Sequence, residues 1–90
     1  ELGDRWGVAW SLNFLGHLAG LLGNHLEARR LLRESLTIHQ EIGNQRGMAG
    51  SLNSLGYTMY LLGEYQEARP LLQEALAIDQ NFAFRPTVIT

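Results

Sequence analysis

The chain has 90 residues, of which 46% are hydrophobic and 18% are charged, with no cysteine and a formal net charge of −2. This length fits one small domain and leaves little room for a multi-part active site, because such a chain buries only about 60–65% of its surface. The missing cysteines exclude disulfides and thiolate metal sites and suit a reducing compartment, and the weakly acidic charge argues against a nucleic-acid-binding domain.

The chain consists of two copies of one unit. When the sequence is shifted by forty residues, positions 3–42 align with positions 43–82 without a gap, and 20 of the 40 paired residues are identical. A fixed period of this length is typical of a solenoid or array. Leucine (17) and alanine (8) also outnumber valine, isoleucine and threonine (10 together), which favours helices over strands. We therefore predict an all-α domain with repeat 1 at 3–42 and repeat 2 at 43–82.

Each repeat is predicted to form two helices with a glycine between them. Gly23 and Gly63 each follow a long apolar run, where glycine can adopt the left-handed conformation that ends a helix. Asp4 and Asn44 are suitable N-caps for the first helix of each repeat, and Asn24 is suited to cap the second helix of repeat 1. The four helices are therefore expected at residues 4–22, 25–42, 45–62 and 65–81.

Two places near the C-terminus depart from this regular pattern. Pro70 falls within the fourth predicted helix, where proline removes a backbone hydrogen bond, so a kink or a loosened first turn at 65–69 is expected. Residues 83–90 do not continue the repeat and are expected to form a C-terminal flank or the start of a further helix.

The two helices of each repeat differ in polarity. The first helix has no charged residue between Trp6 and Leu22, whereas the second has an apolar face and a charged face. The uncharged run invites a membrane interpretation, but Ser11, Asn13 and His17 interrupt it and the neighbouring helix is half charged. The first helix is therefore predicted to be the inner layer of the array and not part of a membrane hairpin.

The spacing of leucine, glycine and alanine carries a resemblance to a known family. Repeat 1 reads Leu12-x2-Leu15-Gly16-x2-Ala19 then Ala28-x3-Leu32, and repeat 2 reads Leu52-x2-Leu55-Gly56-x2-Met59 then Ala68-x3-Leu72. This pattern resembles the tetratricopeptide repeat, and the forty-residue period is similar to the longer variant in kinesin light chains and bacterial signalling proteins. The resemblance implies an α-solenoid of two tandem helix-turn-helix repeats with right-handed superhelical stacking.

The glycines of this pattern also have a physical explanation. Gly16 and Gly56 stand inside predicted helices, where glycine costs about 1 kcal/mol relative to alanine. Opposite Ala28 and Ala68, they would let two helix backbones approach closely. We therefore expect the two helices of each repeat to cross at these small residues.

A sector rich in aromatic and amide side chains lies opposite the leucine face of the first helix in each repeat. Aromatic rings give contact area at little entropic cost, and asparagine both donates to and accepts from a peptide backbone. The resemblance adds that long-repeat relatives hold a ligand backbone with groove asparagines. The predicted peptide-binding residues are Trp10, Asn13, Phe14, His17, Asn53, Ser54, Tyr57 and Tyr60.

A second interpretation of these side chains stays open. Trp6, Trp10 and Phe14 would equally suit packing against a neighbouring repeat, because every solenoid helix also touches the next unit. A buried asparagine that bonds only to its own scaffold is the corresponding alternative for Asn13 and Asn53.

The sequence offers no set of residues for catalysis or for a cofactor. The histidines at positions 17, 25 and 39 fall on different helices or faces without cysteines or converging carboxylates, so packing explains them better than metal binding. The serines lack a nucleophile motif, and no glycine-rich phosphate loop follows a strand. We therefore expect no enzyme activity, no cofactor, no metal site, and no binding of nucleic acids or membranes.

Two functions follow as hypotheses. The first is a protein-protein interaction module of the cytoplasm that binds a peptide or partner segment on the concave face of the first helices. The alternative is a purely structural or oligomerising scaffold segment of a larger multidomain protein, such as a bacterial signalling protein. Because about three repeats are normally required for a stable array, two repeats leave apolar faces unpaired and self-association is expected, for instance by helix exchange between chains.

Overall fold

In a computed structural model, which describes residues 4–83, the chain forms four α-helices and no strand. The two helices of each repeat pack against one another as a hairpin, α2 also packs against α3, and α1 touches α3. This arrangement confirms the predicted all-α array of helical repeats. The helices are α1 (Arg5–Leu21), α2 (His25–Ile42), α3 (Gln45–Leu61) and α4 (Tyr65–Ala83).

The ends of the helices differ slightly from their expected positions. α1 and α3 each end one residue early, because Leu22 and Leu62 already belong to the turn that follows. α4 continues to Ala83, two residues past its expected end. The C-terminal flank was predicted at residues 83–90, of which Ala83 belongs to α4 and residues 84–90 lie outside the described residues.

A left-handed glycine follows each of the first three helices. Gly23, Gly43 and Gly63 have φ angles of 85°, 71° and 86°. The glycine N–H donates to the carbonyl three residues back, and the next N–H donates to the carbonyl five residues back, at 2.8–3.2 Å. This Schellman arrangement satisfies carbonyls at the helix end, and it confirms the predicted glycine stops.

The N-caps follow the prediction only in part. Asn44 caps α3, because its Oδ1 accepts a hydrogen bond from the Gly47 N–H at 3.3 Å. Asp4 and Asn24 occupy the cap positions of α1 and α2, but within residues 4–83 neither side chain makes a capping hydrogen bond. Those two helices begin without the side-chain acceptor that the sequence predicted.

Pro70 leaves α4 unbroken. The helix is continuous from Tyr65 to Ala83, and its first turn keeps the regular hydrogen bond from the Ala68 N–H to the Glu64 carbonyl at 3.0 Å. The predicted loosening of this turn is therefore wrong. Since Pro70 is exposed, its ring faces water, and α4 loses one hydrogen bond without being interrupted.

The hydrophobic core lies mainly between α2, α3 and α4. It consists of two clusters of buried side chains that share the partly buried Leu36 and Leu71. The first cluster comprises Ala28, Leu32, Leu55, Met59 and Ala68. The second comprises Ala49, Leu52, Ala75 and Ile78. Among the described residues, no helix is long and apolar enough to cross a membrane.

The two helices of each repeat cross at a glycine, as predicted. A Cβ added to Gly16 would lie 2.7 Å from Leu32 Cγ, and one added to Gly56 would lie 2.7 Å from Leu72 Cγ. The carbonyl oxygen four residues before each leucine would be only 3.4 and 3.3 Å away. Both positions are buried, so close packing of the helices compensates for glycine inside a helix.

Candidate functional site

A groove of about 360 Å³ lies between α1 and α3. Its α1 wall is low because Gly20 carries no side chain, whereas Tyr57 and Leu61 are exposed on α3. The groove thus comes from an unequal pair of helices: the position of Gly20 in repeat 1 holds Tyr60 in repeat 2. It is lined by Gly16, His17, Gly20, Leu21, His25, Leu32, Asn53, Ser54, Tyr57, Thr58 and Leu61.

The groove is mainly apolar, with a few polar side chains in its lining. As far as the chain is described, no Asp, Glu, Lys or Arg lines it. Thr58 donates its hydroxyl to the Ser54 carbonyl at 2.8 Å, so that donor is already used within α3. Asn53 and Tyr57 are exposed, which leaves an amide and a phenol available to a ligand.

Four of the eight predicted peptide-binding residues meet in this groove, namely His17, Asn53, Ser54 and Tyr57. The other four lie elsewhere. Phe14 is exposed and is absent from the groove lining, and Tyr60 packs edge-to-face with Tyr65 at a ring distance of 5.2 Å, beside a separate recess on α4.

Trp10 packs within the array instead of lining the groove. Its ring meets His39 edge-to-face at 4.8 Å and Trp6 at 6.0 Å. The indole Nε1 is buried and has no hydrogen-bond partner among the described residues. These contacts all lie within repeat 1, and they favour a packing role for Trp10 over ligand contact.

Asn13 takes part in a hydrogen-bond network between helices. Its Oδ1 lies 3.3 Å from the Ser51 hydroxyl, which in turn lies 3.0 Å from the Ser35 hydroxyl. Ser35 donates to the Ala9 carbonyl oxygen at 2.8 Å. Both serines are fully buried, so the network satisfies polar groups inside the junction of the two repeats and favours a scaffold role for Asn13.

A second pocket of about 300 Å³ adjoins the groove at Asn53. The pocket exists because Gly50 stands at the repeat position that Trp10 occupies in repeat 1. Asp79 comes from α4, so the sequence pattern of the first helices does not indicate that it lines this pocket. The lining residues are Trp10, Arg46, Ala49, Gly50, Asn53 and Asp79.

His39 packs where the end of α2 meets the start of α3. It is fully buried, its Nδ1 lies 3.3 Å from the amide nitrogen of Asn44, and a Cβ added to Gly47 would overlap its ring. Burial lowers the pKa of this histidine, so it is neutral at pH 7. Within residues 4–83, no group of three or more His, Asp or Glu side chains is placed to hold a metal ion.

Three comparisons with known proteins were made. The sequence pattern of the tetratricopeptide repeat family matches residues 7–81. Neither the comparison with curated proteins nor that with solved structures returned a match. The matched segment runs through all four helices and includes both glycine crossings. The chain therefore belongs to the tetratricopeptide repeat family.

Proposed function

We propose that the chain is a protein-protein interaction module that binds a peptide segment of a partner in the groove between α1 and α3. Repeats of this family generally mediate protein-protein interactions. The observation that carries the proposal is a groove with no Asp, Glu, Lys or Arg among its described lining residues, in which the exposed Asn53 and Tyr57 lie across from Gly20. We place this activity in the cytoplasm, which the absence of cysteine supports.

The groove chemistry fits a neutral segment in an extended or helical conformation. The Asn53 amide has both donors and acceptors, as a peptide backbone requires. Gly20, which carries no side chain, leaves space for an apolar or aromatic side chain of the ligand against the Tyr57 ring. A charged ligand side chain would lose its hydration in this groove without an opposite charge to replace it.

Peptide titrations test this binding site. An array of short neutral and charged peptides is screened with the wild-type protein. The neutral peptides that bind are then titrated with the wild type and with a double variant that carries Asn53→Ala and Tyr57→Ala. We expect the double variant to bind at least about tenfold more weakly, since central interface residues typically contribute more than about 1.4 kcal/mol. Gln40→Ala, which removes an exposed amide from α2 outside the groove, should bind like wild type. Equal affinity of the double variant would refute the site.

A second role, as an oligomerising scaffold segment, is supported by one comparison between the repeats. Leu15 and Leu55 occupy the same repeat position, yet Leu15 is 48% exposed and Leu55 only 2%. The leucine face that α2 covers on α3 is thus uncovered on α1. In this role the chain self-associates through such unpaired faces, because apolar area of this kind is buried wherever a partner is available.

A further inference from the structure

We propose that copies of this chain stack head to tail, with α4 of one copy docking on α1 of the next as α2 docks on α3 within the chain. The inference rests on the oligomerising role proposed above and specifies its interface. It is carried by a projecting face at one end of the array and a matching recess at the other.

The junction between α2 and α3 supplies the pattern for this contact. Leu55 and Met59 of α3 share a core cluster with Ala28 and Leu32 of α2. Leu36 of α2 packs against the same cluster. The side chains of α3 thus project into a recess that the small and branched residues of α2 leave open.

The outer face of α1 carries Leu15 at the position of Leu55, with Ala19 in place of Met59, and no other described residue covers it as α2 covers α3. Ser11, Leu12 and Leu15 are identical to the residues forty positions later in α3, which are all buried. In α1, however, Ser11 is exposed and Leu15 is 48% exposed. At these positions α1 therefore presents the residues that α3 inserts beneath α2.

The outer face of α4 carries the matching recess, which no residue within 4–83 fills. A recess of about 470 Å³ includes Ala68, Leu72 and Leu76 in its lining. Forty positions earlier stand Ala28, Leu32 and Leu36, the residues with which α2 contacts α3. Leu76 is 57% exposed. Tyr60 and Tyr65 add aromatic surface at its edge. Leu15 of a second copy is the side chain that the repeat equivalence directs into this recess.

The contact between copies is expected to be weaker than the junction between α2 and α3, and one reason is a pair of like charges. Asp79 and Asp4 stand at the repeat positions of His39 and Asn44, whose side chains lie 3.3 Å apart. Stacking would therefore bring two carboxylates together, and like charges at close range repel. Association is accordingly expected to be reversible, and a head-to-tail contact gives open filaments unless the rotation between copies closes a ring.

A second difference concerns an ion pair across the internal junction. Arg29 of α2 donates to both carboxylate oxygens of Glu64 at 2.6 and 2.7 Å. The equivalent residues between copies are Arg69 and Asn24, which can form a hydrogen bond but not an ion pair. The stacked geometry is thus retained with less electrostatic support.

Sedimentation of the full chain with two blocking variants tests the geometry. We expect the wild-type sedimentation coefficient to rise with concentration. Leu15→Arg blocks the α1 face and Leu76→Arg blocks the α4 face, so each variant alone should be monomeric. An equal mixture should form a heterodimer, because each variant keeps the face that the other has lost. Both positions are exposed, and circular dichroism verifies that the helices are retained.

The possible results separate the interface from the broader role. A wild-type chain that stays monomeric at the highest concentration overturns both the stacking and the oligomerising role. Association of either variant alone at wild-type strength, or a mixture that stays monomeric, overturns the head-to-tail geometry alone. Peptide binding in the groove is measured separately and is unaffected by either result.

A variant designed to tighten self-association tests the same interface independently. Asp4→Asn combined with Asp79→His restores the residue types of the internal junction, and it should tighten self-association by about threefold, as expected for relief of one exposed like-charge contact. An unchanged or weaker association would show that these two carboxylates do not meet between copies, which contradicts the proposed interface.

Discussion

Gly47 lies directly beneath the His39 ring, where α3 starts against the end of α2. A side chain of any size at this position would overlap the imidazole. The ring has little room to move, because Trp10 packs on it at 4.8 Å and Asn44 contacts its Nδ1. The close approach of the two helices thus depends on the absence of one methyl group.

Replacement of Gly47 by alanine is therefore expected to destabilise the fold, although alanine is the better helix former. We expect a loss of about 1–3 kcal/mol in the free energy of unfolding, measured by urea denaturation, because overpacking displaces the buried ring. Gly50→Ala is the matched control in the same helix, since the nearest contact of its Cβ would be Asn13 Nδ2 at 4.0 Å. That variant should be stabilised by up to about 1 kcal/mol. Equal effects of the two substitutions would contradict this packing.

At the scale of single helices, α4 is the element with an internal conflict. It retains a proline at its sixth residue, where the equivalent residue of α2 is Arg30. The Gln66 carbonyl consequently has no N–H to accept from at position 70, because proline has none. Tertiary packing of Ala68, Ala75 and Ile78 into the core keeps the helix continuous in spite of this loss.

Pro70→Ala should therefore stabilise the protein, by restoring one helical hydrogen bond at an exposed position. We expect a gain of about 1–3 kcal/mol, which is at most the penalty for proline inside a helix. The change is measured as a shift in the urea midpoint with an unchanged m-value. Glu74→Ala, also exposed on α4, changes side-chain polarity without restoring a backbone bond and should shift the midpoint much less. A destabilised Pro70→Ala would indicate that the proline ring makes contacts that stabilise α4.

The sequence predicted the helices well because each repeat supplies a second observation of the same pattern. Gly23 and Gly63 occupy the same repeat position and indicated equivalent turns. Gly16 and Gly56, inside helices and opposite alanines, indicated where the two helices of each repeat cross. The groove was predicted less completely. Gly20 opens the groove by lacking a side chain, and Asp79 of the second pocket lies on α4. Neither contribution can be predicted from the pattern of side chains along the first helices. Trp10 turned inward because the partner of its ring, His39, is brought near only by the hairpin of α1 and α2.

At the scale of the whole molecule, the array has a direction. Repeat 2 is covered on one side by α2, whereas no described residue covers the equivalent side of repeat 1, so identical residues have different surroundings in the two repeats. Leu52 is buried whereas Leu12 is only half-buried, and Ser51 is buried whereas Ser11 is exposed. Position within the stack, and not residue type, therefore decides how much each side chain contributes to stability.

The leucines at positions 15 and 55 provide a matched test of this direction. Leu55→Ala should cost about 2–5 kcal/mol in the free energy of unfolding, as expected for a leucine truncated in a core. Leu15→Ala should cost about 1 kcal/mol or less when measured on dilute protein, because roughly half of that side chain already faces water. Comparable losses for the two variants in dilute solution would mean that α1 is covered in the monomer.

The same pair distinguishes a free face from a docking face when protein concentration is raised. Only folded copies can stack, so stacking stabilises the folded state by mass action. Wild type should then gain stability with concentration, whereas Leu15→Ala should gain less because its truncated side chain fills less of the α4 recess. The cost of Leu15→Ala should thus grow with concentration while that of Leu55→Ala, which lies inside the chain, stays constant. A Leu15→Ala cost that is independent of concentration would place this leucine outside any contact between copies.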